Sequence, residues 1–470
     1  PCGPVPAPVG RMGPVQAIVT PEEMAAVDAA APEPVAELVE RAGHAVARAA
    51  LRLLGGAYGR RVVLVVGKGN NGADGRAAAR RLEARGVRCR LVDAADPPAV
   101  LPAADLVIDA AYGTGFRGDY SFPPLARPVP VLAVDVPSGV SGLTGEASGR
   151  PQAARRTVTF AAWKPGLLLD AGAELAGEVE VADIGLATPD ARAHLVDGAD
   201  VAAWLPDRPR STHKWRAAAW VVAGSPGMTG AAHLATRAAQ RAGAGYVRLS
   251  TPGSARDPWA PTEAVVTSLP ADGWAADVLA DLDRFAALAV GPGLGPAASD
   301  AAQVRELVAR ATVPVVVDGD GLRALGVRAA EVLAARPAGA PPVVLTPHDG
   351  EYEALAGGAP APDRFGAVRD LAARLGAVVL LKGPTTLVAD PGGHVWASTA
   401  GDARLASAGT GDVLTGTVAA LLAQGLPADR AAAAASHLHG RAGALAWRRG
   451  LVAGDLVDHL PAALAEEPGG

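Results

Sequence analysis

The residues with the clearest chemical vocabulary are Gly409-Thr410-Gly411-Asp412, followed at once by an apolar, alanine- and leucine-rich run to Gly425 that reads as a helix. A glycine-rich turn opening a helix presents unpartnered backbone N–H groups and the positive end of the peptide dipoles, which suits an anion. Gly409 and Gly411 let that backbone approach a phosphate where a Cβ would obstruct it. A carboxylate beside a phosphate cradle is repelled by its ligand, so Asp412 reads as a base or a hydroxyl contact at a reacting centre. Taken alone, the same residues also read as a tight turn with Asp412 capping its helix.

The first half of the chain carries a second set. Arg61 to Val66, RVVLVV, is a continuous β-branched run of the kind found in a parallel strand covered on both faces. It leads into GKGNNGADGRAAARRL, so that strand, glycine-rich turn and arginine-rich helix follow in the order of a dinucleotide-type βαβ unit. Asn70, Asn71 and Asp74 in that turn suit a ribose, an amide or a cation; the alternative is Asx turns that satisfy their own backbone. Asp109 ends the strand Leu106 to Ile108, with Gly113-Thr114-Gly115 just beyond, and Asp135 ends Val131 to Val134, with Pro137-Ser138-Gly139 after it. The carboxyl ends of strands in an open parallel sheet face the ligand crevice, so the three polar turns are expected to converge. Lys164 reads either as a weaker member of that set or as a surface residue at a strand end.

The elements that must position these groups are those of a folded α/β protein. A length of 470 residues allows two or three domains with full-sized cores, and a composition half apolar and 19% charged is that of a folded soluble protein. A net charge of -5 argues against a general nucleic-acid binder. Cys2 and Cys89 make no disulfide framework, and a reducing, cytoplasmic setting is expected. No stretch is long and apolar enough for a membrane span, and residues 1–15 read as an untidy leader or a trimmed tail without a secretory pattern. Thr20, Pro21 and Glu23 spell a capped helix start, and Val35, Leu38, Val39, Ala42, Val46 and Ala49 recur at helical spacing. The polar, proline-broken stretch 187–210 is the expected linker, giving domains over 15–205 and 206–465.

The second half repeats the strand-then-polar-turn arrangement. Gly291, Gly293 and Gly295 follow one strand, Asp318 and Asp320 another, and Thr346, His348, Asp349 and Glu351 a third. Lys382, Thr385 and Thr386 precede the GTGD helix, where a lysine and two threonines suit nucleotide phosphates better than a snorkelling edge position. His348 reads equally as a satisfied strand-end histidine, and His437 and His439 have no evident partners; none of the nine histidines forms a zinc-type cluster.

LVERAG, GKGNNGADG, DAAYGTG and DVPSGVSGLTGE, in this order, resemble the NAD(P)H-hydrate epimerases. The resemblance implies a Rossmann-like domain with a potassium ion held by Asn71, Asp109 and Ser138. It also implies substrate contacts from Asn70, Asn71, Gly72, Ala73 and Asp74, from Gly113, Thr114, Gly115, Phe116, Arg117, Gly118 and Asp119, and from Asp135, which is also the best-placed carboxylate to open or reprotonate the hydrated ring and so the expected catalytic group. The family turn reads NNGGD where this chain has Ala73, so the epimerase is weakened if that position needs positive φ or close ligand approach.

From THKWR through GSPGMTGAAHLA, GPGLG, VVDGDGL, TPHDGEY, LKGPTT, AGTGDVLTG and SHLHGRAG, the second half resembles the ADP- or ATP-dependent NAD(P)H-hydrate dehydratases, which are ribokinase-like. The match implies nucleotide contacts from Lys382, Gly383, Pro384, Thr385 and Thr386 and from the segment Asp402 to Gly411, which includes Ala408, Gly409 and Thr410. Contacts to the hydrated dinucleotide are implied for Ala231, Gly295, His348 and the catalytic Asp412. The fold class expected overall is α/β, two doubly wound three-layer domains. Potassium, magnesium and ADP are the expected small partners, with no nucleic acid or membrane, in a homo-oligomer. The competing reading is a ribokinase-like kinase for a small vitamin alcohol fused to a nucleotide-binding scaffold.

Overall fold

The computed structural model describes residues 16–254 and 257–466; the opening stretch read as a leader, with Cys2, lies outside them. Contacts divide the chain into two compact units, one spanning Gln16–Ala193 and one beginning at His194. This division precedes the expected boundary at 205/206. The stretch 187–210 is not a single linker, because residues 193–195 form a strand and 198–204 a helix, and Val196 and Val201 join the apolar core of the C-terminal unit.

The N-terminal unit contains strands β1 (Gln16–Ile18), β2 (Arg61–Val66), β3 (Arg88–Asp93), β4 (Leu106–Ala110), β5 (Tyr120–Ser121), β6 (Val131–Val134), β7 (Gly149–Arg150), β8 (Arg156–Phe160) and β9 (Glu178–Ala182). Its helices are α1 (Pro21–Ala30), α2 (Val35–Leu54), α3 (Asn70–Glu83) and α4 (Asp170–Leu175). The main sheet is parallel throughout, in the order β3-β2-β4-β6-β8-β9. Every residue of β2 after Arg61 is buried, as a strand covered on both faces must be. α1 starts with a full capping box, in which the Thr20 hydroxyl accepts from Glu23 N–H and the Glu23 carboxylate accepts from Thr20 N–H.

The NNGAD segment differs from its sequence reading. α3 begins at Asn70 with Gly69 as its cap, so Asn70 and Asn71 occupy the first helical turn, Asp74 opens the second, and none of the three is a loop residue forming an Asx turn. The tight entry depends on Gly72, where a Cβ would stand 1.9 Å from the Gly67 carbonyl oxygen.

The C-terminal unit contains β10 (Ala193–Leu195), β11 (Ala218–Val222), β12 (Tyr246–Ser250), β13 (Val265–Val266), β14 (Ala287–Val290), β15 (Val315–Val317), β16 (Val343–Leu345), β17 (Val378–Leu381), β18 (Thr386–Ala389) and β19 (Val395–Ser398). Its helices are α5 (Gly198–Trp204), α6 (Gly230–Arg241), α7 (Trp274–Asp281), α8 (Ala298–Arg310), α9 (Asp320–Leu325), α10 (Ala329–Ala334), α11 (Asp349–Ala356), α12 (Arg364–Leu375), α13 (Thr410–Ala423), α14 (Ala428–Leu445) and α15 (Ala453–Ala465). The order β10-β19-β18-β17-β16-β15-β14-β11-β12-β13 is parallel from β13 to β17 and antiparallel across β17-β18-β19. α13 is buried from Val413 to Ala423, the all-round burial expected of a helix apolar on every face. It packs among α6, α14 and α15 in the main core. Among the described residues, no helix is long and apolar enough to cross a membrane.

Candidate active sites

In the N-terminal unit a cavity of about 580 Å3 is lined by residues following β2, β4, β6 and β8 and by apolar residues of α1 and α2, among them Met24, Leu38 and Val39. Asn70, Asn71 and Asp74 line it together with Gly113, Thr114, Gly115, Phe116, Arg117 and Asp135, so the polar turns do converge. Gly72, Ala73, Gly118 and Asp119 are not among the lining residues, although their neighbours are.

Asp135 is held in an unusual state. Its φ is +68°, a left-handed conformation that costs a residue other than glycine on the order of 1 kcal/mol and that marks sites where the surroundings over-determine the backbone. One carboxylate oxygen accepts the Thr114 N–H at 3.0 Å, and the other accepts the Thr159 hydroxyl at 3.2 Å and lies 3.4 Å from Lys164 Nζ. Lys164 is fully buried, which overturns its reading as a surface residue. Ala161, with φ +62°, turns the chain after β8, and the ammonium then donates to Thr159 Oγ1, Phe160 O and Ala162 O at 3.0, 2.7 and 3.1 Å. Burial lowers the Lys164 pKa while Asp135 opposes that drop.

Two further carboxyls face the same cavity. Burial, with Asp135 and Asp28 adding to it, pushes Asp74 up to about 8, so that it carries its proton at neutral pH. Asp28, which in sequence reads equally as solvated or functional, lines the cavity, and its carboxyl is raised by burial despite the nearby Lys164.

Asp109 and Ser138 are buried together. Asp109 accepts the Ser138 hydroxyl at 2.6 Å and the Ser138 N–H at 2.9 Å, and the serine oxygen accepts the Tyr112 N–H at 2.9 Å. Burial raises the Asp109 pKa to about 6 against these donors. Both polar atoms of the buried Asn71 amide lack a partner, and a Cβ at Gly113 would stand 3.4 Å from its oxygen. A buried amide oxygen left without a donor, with a carboxylate and a hydroxyl held nearby, is an oxygen set that fits a large monovalent cation.

In the C-terminal unit the anion turn has the geometry its sequence requires. Gly409 caps α13 at φ +88°, and a side chain there would be strained and would meet Leu234 Cδ1 at 2.6 Å. Gly409, not Asp412, is the cap, and no side chain caps this helix. The turn is braced from behind: the Thr410 hydroxyl reaches Leu405 O at 2.8 Å, and His439 Nε2 lies 2.9 Å from Thr410 O. Burial lowers the His439 pKa to about 4, so the neutral ring donates to that carbonyl, and the histidine has a partner the sequence did not reveal. The SHLHGRAG helix was the only signal for it.

Asp412 stands in the first turn of α13 with its pKa raised to about 6, chiefly by burial and then by Asp318, with Asp320 and Glu351 adding and Lys382 opposing. Lys382 follows β17 and donates to Asp318 Oδ1 at 2.8 Å, with Glu351 Oε2 at 3.4 Å. Burial would lower the Lys382 pKa, but these two carboxylates outweigh it and hold the ammonium charged. A Cβ at Gly411 would lie 3.6 Å from Nζ, so the lysine and the anion turn do meet.

Gly295 joins the cluster through its N–H, which donates to Asp320 Oδ2 at 2.9 Å, and the Ala231 methyl approaches Gly293. His348 caps α11, its Nδ1 accepting the N–H of Gly350 and Glu351, which is the structural half of its even reading. Gly383 and Pro384 lie in the turn after β17, Thr385 is buried, Thr386 begins β18 opposite Ser398, and Ala408 is exposed before Gly409. Asp402 is engaged by Arg404 on the preceding loop. In the sequence Asp318 and Glu351 stand at strand ends with no role of their own. Among the described residues, no group of three His, Cys, Asp or Glu side chains could hold a metal ion, so these side chains alone do not build a magnesium site.

Comparison with known proteins falls on the same two regions. Residues 219–465 match the family model described as NAD(P)H-hydrate dehydratase, and residues 35–104 and 90–166 match that of the YjeF-related protein N-terminus. The bifunctional NAD(P)H-hydrate repair enzyme Nnr of Moorella thermoacetica is 38% identical, over 94% of this chain and 96% of the relative. The Nnr of Mycobacterium tuberculosis H37Rv is 39% identical over 81% and 82%. Among solved structures, the ADP/ATP-dependent NAD(P)H-hydrate dehydratase from Bacillus subtilis, co-crystallised with ATP and magnesium, matches with TM-score 0.50 and 33% identity over 57% of this chain and 96% of its own. A ribokinase-like protein from Enterococcus faecalis, at TM-score 0.51 and 22% identity, covers 58% of this chain and 95% of its own and shares the fold. These matches favour dehydration over the vitamin-alcohol kinase reading, and the chain belongs to the family of bifunctional NAD(P)H-hydrate repair enzymes.

Proposed function

We propose that this chain repairs hydrated NADH and NADPH with two chemistries, one in each unit. The N-terminal unit interconverts the R and S hydrates, and the C-terminal unit dehydrates the S form at the expense of ADP. The observation that carries the reading is Asp412, a carboxyl with a pKa near that of a working base, standing in the first turn of a helix whose entry is built for an anion.

In the C-terminal unit Asp412 takes the proton of the ring hydroxyl as its oxygen attacks the terminal phosphorus of ADP. The new O–P bond replaces the bond to AMP, while the amides of Gly409 to Gly411, with Lys382 beside them, stabilise the transferring phosphoryl group. The C–O bond then breaks with phosphate leaving, the ring nitrogen lone pair fills the gap, and loss of the adjacent ring proton restores the dihydronicotinamide. AMP, phosphate and NAD(P)H result. Magnesium paired with the nucleotide is expected from the family, but no step is assigned to it.

In the N-terminal unit Asp135, locked by Thr114, Thr159 and Lys164, accepts the hydroxyl proton as the ring C–N bond opens, and Asp74, protonated at neutral pH, supplies the proton to nitrogen. Closure on the opposite face of the carbonyl returns both protons and inverts the centre. Asn71, Asp109 and Ser138 are the residues that would hold potassium, whose positive charge would steady the oxygen-rich end of the substrate.

The test is to supply the purified chain with ADP and chemically hydrated NADH resolved into its epimers. Both epimers should disappear, with one AMP and one phosphate formed for each NADH recovered. Persistence of the hydrate, together with phosphorylation of a vitamin alcohol, would sink the reading in favour of the kinase.

A further inference from the structure

The first-turn acid of α13 sits at the focus of a cluster that neither its sequence motif nor the anion turn explains. Asp318, immediately after β15, is buried, and its two oxygens are committed in opposite directions. Oδ1 takes the Lys382 ammonium at 2.8 Å, and Oδ2 takes the Thr415 hydroxyl at 2.7 Å, one helical turn beyond Asp412 on the same helix. A Cβ at Gly411 would stand 3.7 Å from Oδ2 and 3.6 Å from the lysine nitrogen. The carboxylate thus ties the ends of β15 and β17 to the entry of α13, the place where the phosphoryl group and the base must meet.

We propose that Asp318 is a positioning residue for the dehydration: it fixes Lys382 beside the anion turn with one oxygen and the entry of α13, through Thr415, with the other. This rests on the function proposed above. A buried ammonium without a partner would be driven towards its neutral form, and an ammonium free to swing would pair with Asp412 and quench the base. Asp318 prevents both, since it holds the charge on Lys382 and keeps that charge where the phosphates arrive. Its own negative charge acts on Asp412 in the opposite sense to the lysine. The groups facing Asp412 are Asp318 after β15, Asp320 on α9, Glu351 on α11 and Lys382 after β17, so one lysine is set against three carboxylates. The base is thereby kept from becoming too acidic to accept a proton.

The experiment compares wild type, Asp318→Asn and Thr415→Val in dehydration of the S hydrate across pH 5 to 8. Asp318→Asn preserves shape and removes the charge, so the acid limb of kcat/KM should move down by about one pH unit, with KM for ADP raised as Lys382 loses its anchor. Thr415→Val leaves the charge and removes one of the two ties, so kcat should fall several-fold with the limb in place. A merely structural Asp318 predicts lower activity with an unmoved limb, and that result overturns the proposal, as does an unaltered kcat in Thr415→Val. Titration of the Asp412 carboxyl carbon by 13C NMR, without substrate, reads the same coupling in wild type and Asp318→Asn. If the wild-type chain fails to dehydrate any hydrate, the functional reading falls while this titration still decides the coupling.

Discussion

The two acids proposed as catalytic are readied in opposite ways. Asp135 follows β6 in a left-handed conformation, clamped by a backbone amide, a hydroxyl and a buried lysine, so its orientation is fixed before any substrate arrives. Asp412 lies within a regular helical turn, needs no backbone strain, and is readied instead by burial and by the unequal pull of three carboxylates and one lysine. Reversible inversion at a carbon asks a group to give and return a proton at one place, which rewards rigid placement. Attack on a phosphorus asks for a base whose affinity matches a hydroxyl proton at the working pH, which rewards electrostatic tuning.

Separating the two acids is the sharpest way to break that comparison. Asp412→Asn keeps the shape of the helix entry and removes the base, so dehydration should fall by about 1000-fold while the R and S hydrates still interconvert. Epimer interconversion followed by chromatography and NADH recovery followed by absorbance read the two halves in one tube. Parallel loss of both would mean that the units do not divide the chemistry in this way.

Asp135→Asn should slow epimer interconversion by roughly 100-fold and leave dehydration of pure S hydrate intact. Asparagine tolerates the left-handed backbone, so this change tests the charge and not the turn. Asp135→Ala adds the backbone cost of on the order of 1 kcal/mol, and both variants leave Lys164 buried without its carboxylate. A greater loss of stability in Ala than in Asn, measured by thermal unfolding of the N-terminal transition, would separate strain from charge.

A smaller and graded effect comes from pH. Asp412 must be ionised to act as a base and its pKa is raised to about 6, so kcat/KM for the S hydrate should be level above that value and fall tenfold per unit below it. Asp74, raised to about 8, is proposed to work in the opposite sense, as a proton donor that is lost when pH climbs through that value. Epimer interconversion should therefore decline on the alkaline side while dehydration does not. Coincident profiles would refute the assignment of opposite roles to the two carboxyls.

How far the sequence revealed this follows from what each group depends on. β2, the GTGD turn and the capping box of α1 were legible because period, glycine and capping chemistry are local. The fates of Lys164, Asp28 and His439 were not. Lys164 is buried where Ala161, with positive φ, turns the chain after β8, Asp28 faces a cavity made by distant strand ends, and His439 meets Thr410 across a packing of α14 on α13. Each depends on which element lies next to which, and spacing along one chain does not carry that information. The polar stretch 187–210 misled for a related reason, since β10 takes its place by pairing with β19 and not through any hydrophobic run of its own.

The smallest expected effect concerns Ala73, where this chain departs from the NNGGD turn of the epimerases. Positive φ would make the methyl group harmful, but Ala73 lies in the first turn of α3 and is not one of Asp135, Ala161 and Asp170, the left-handed residues other than glycine among the described residues. Close ligand approach was the other reason, and Ala73 is not among the residues lining the cavity, while Asn70, Asn71 and Asp74 are. In a helix alanine is the better residue by roughly 1 kcal/mol, so Ala73→Gly should lower the stability of the N-terminal unit by up to that amount. Epimer interconversion should change by less than about twofold, because neither the clamp on Asp135 nor the Asp74 carboxyl depends on that methyl. An Ala73→Gly variant that is several-fold faster would show instead that the first turn of α3 must move during the reaction, and the contrast between a rigid N-terminal acid and a tuned C-terminal one would have to be redrawn.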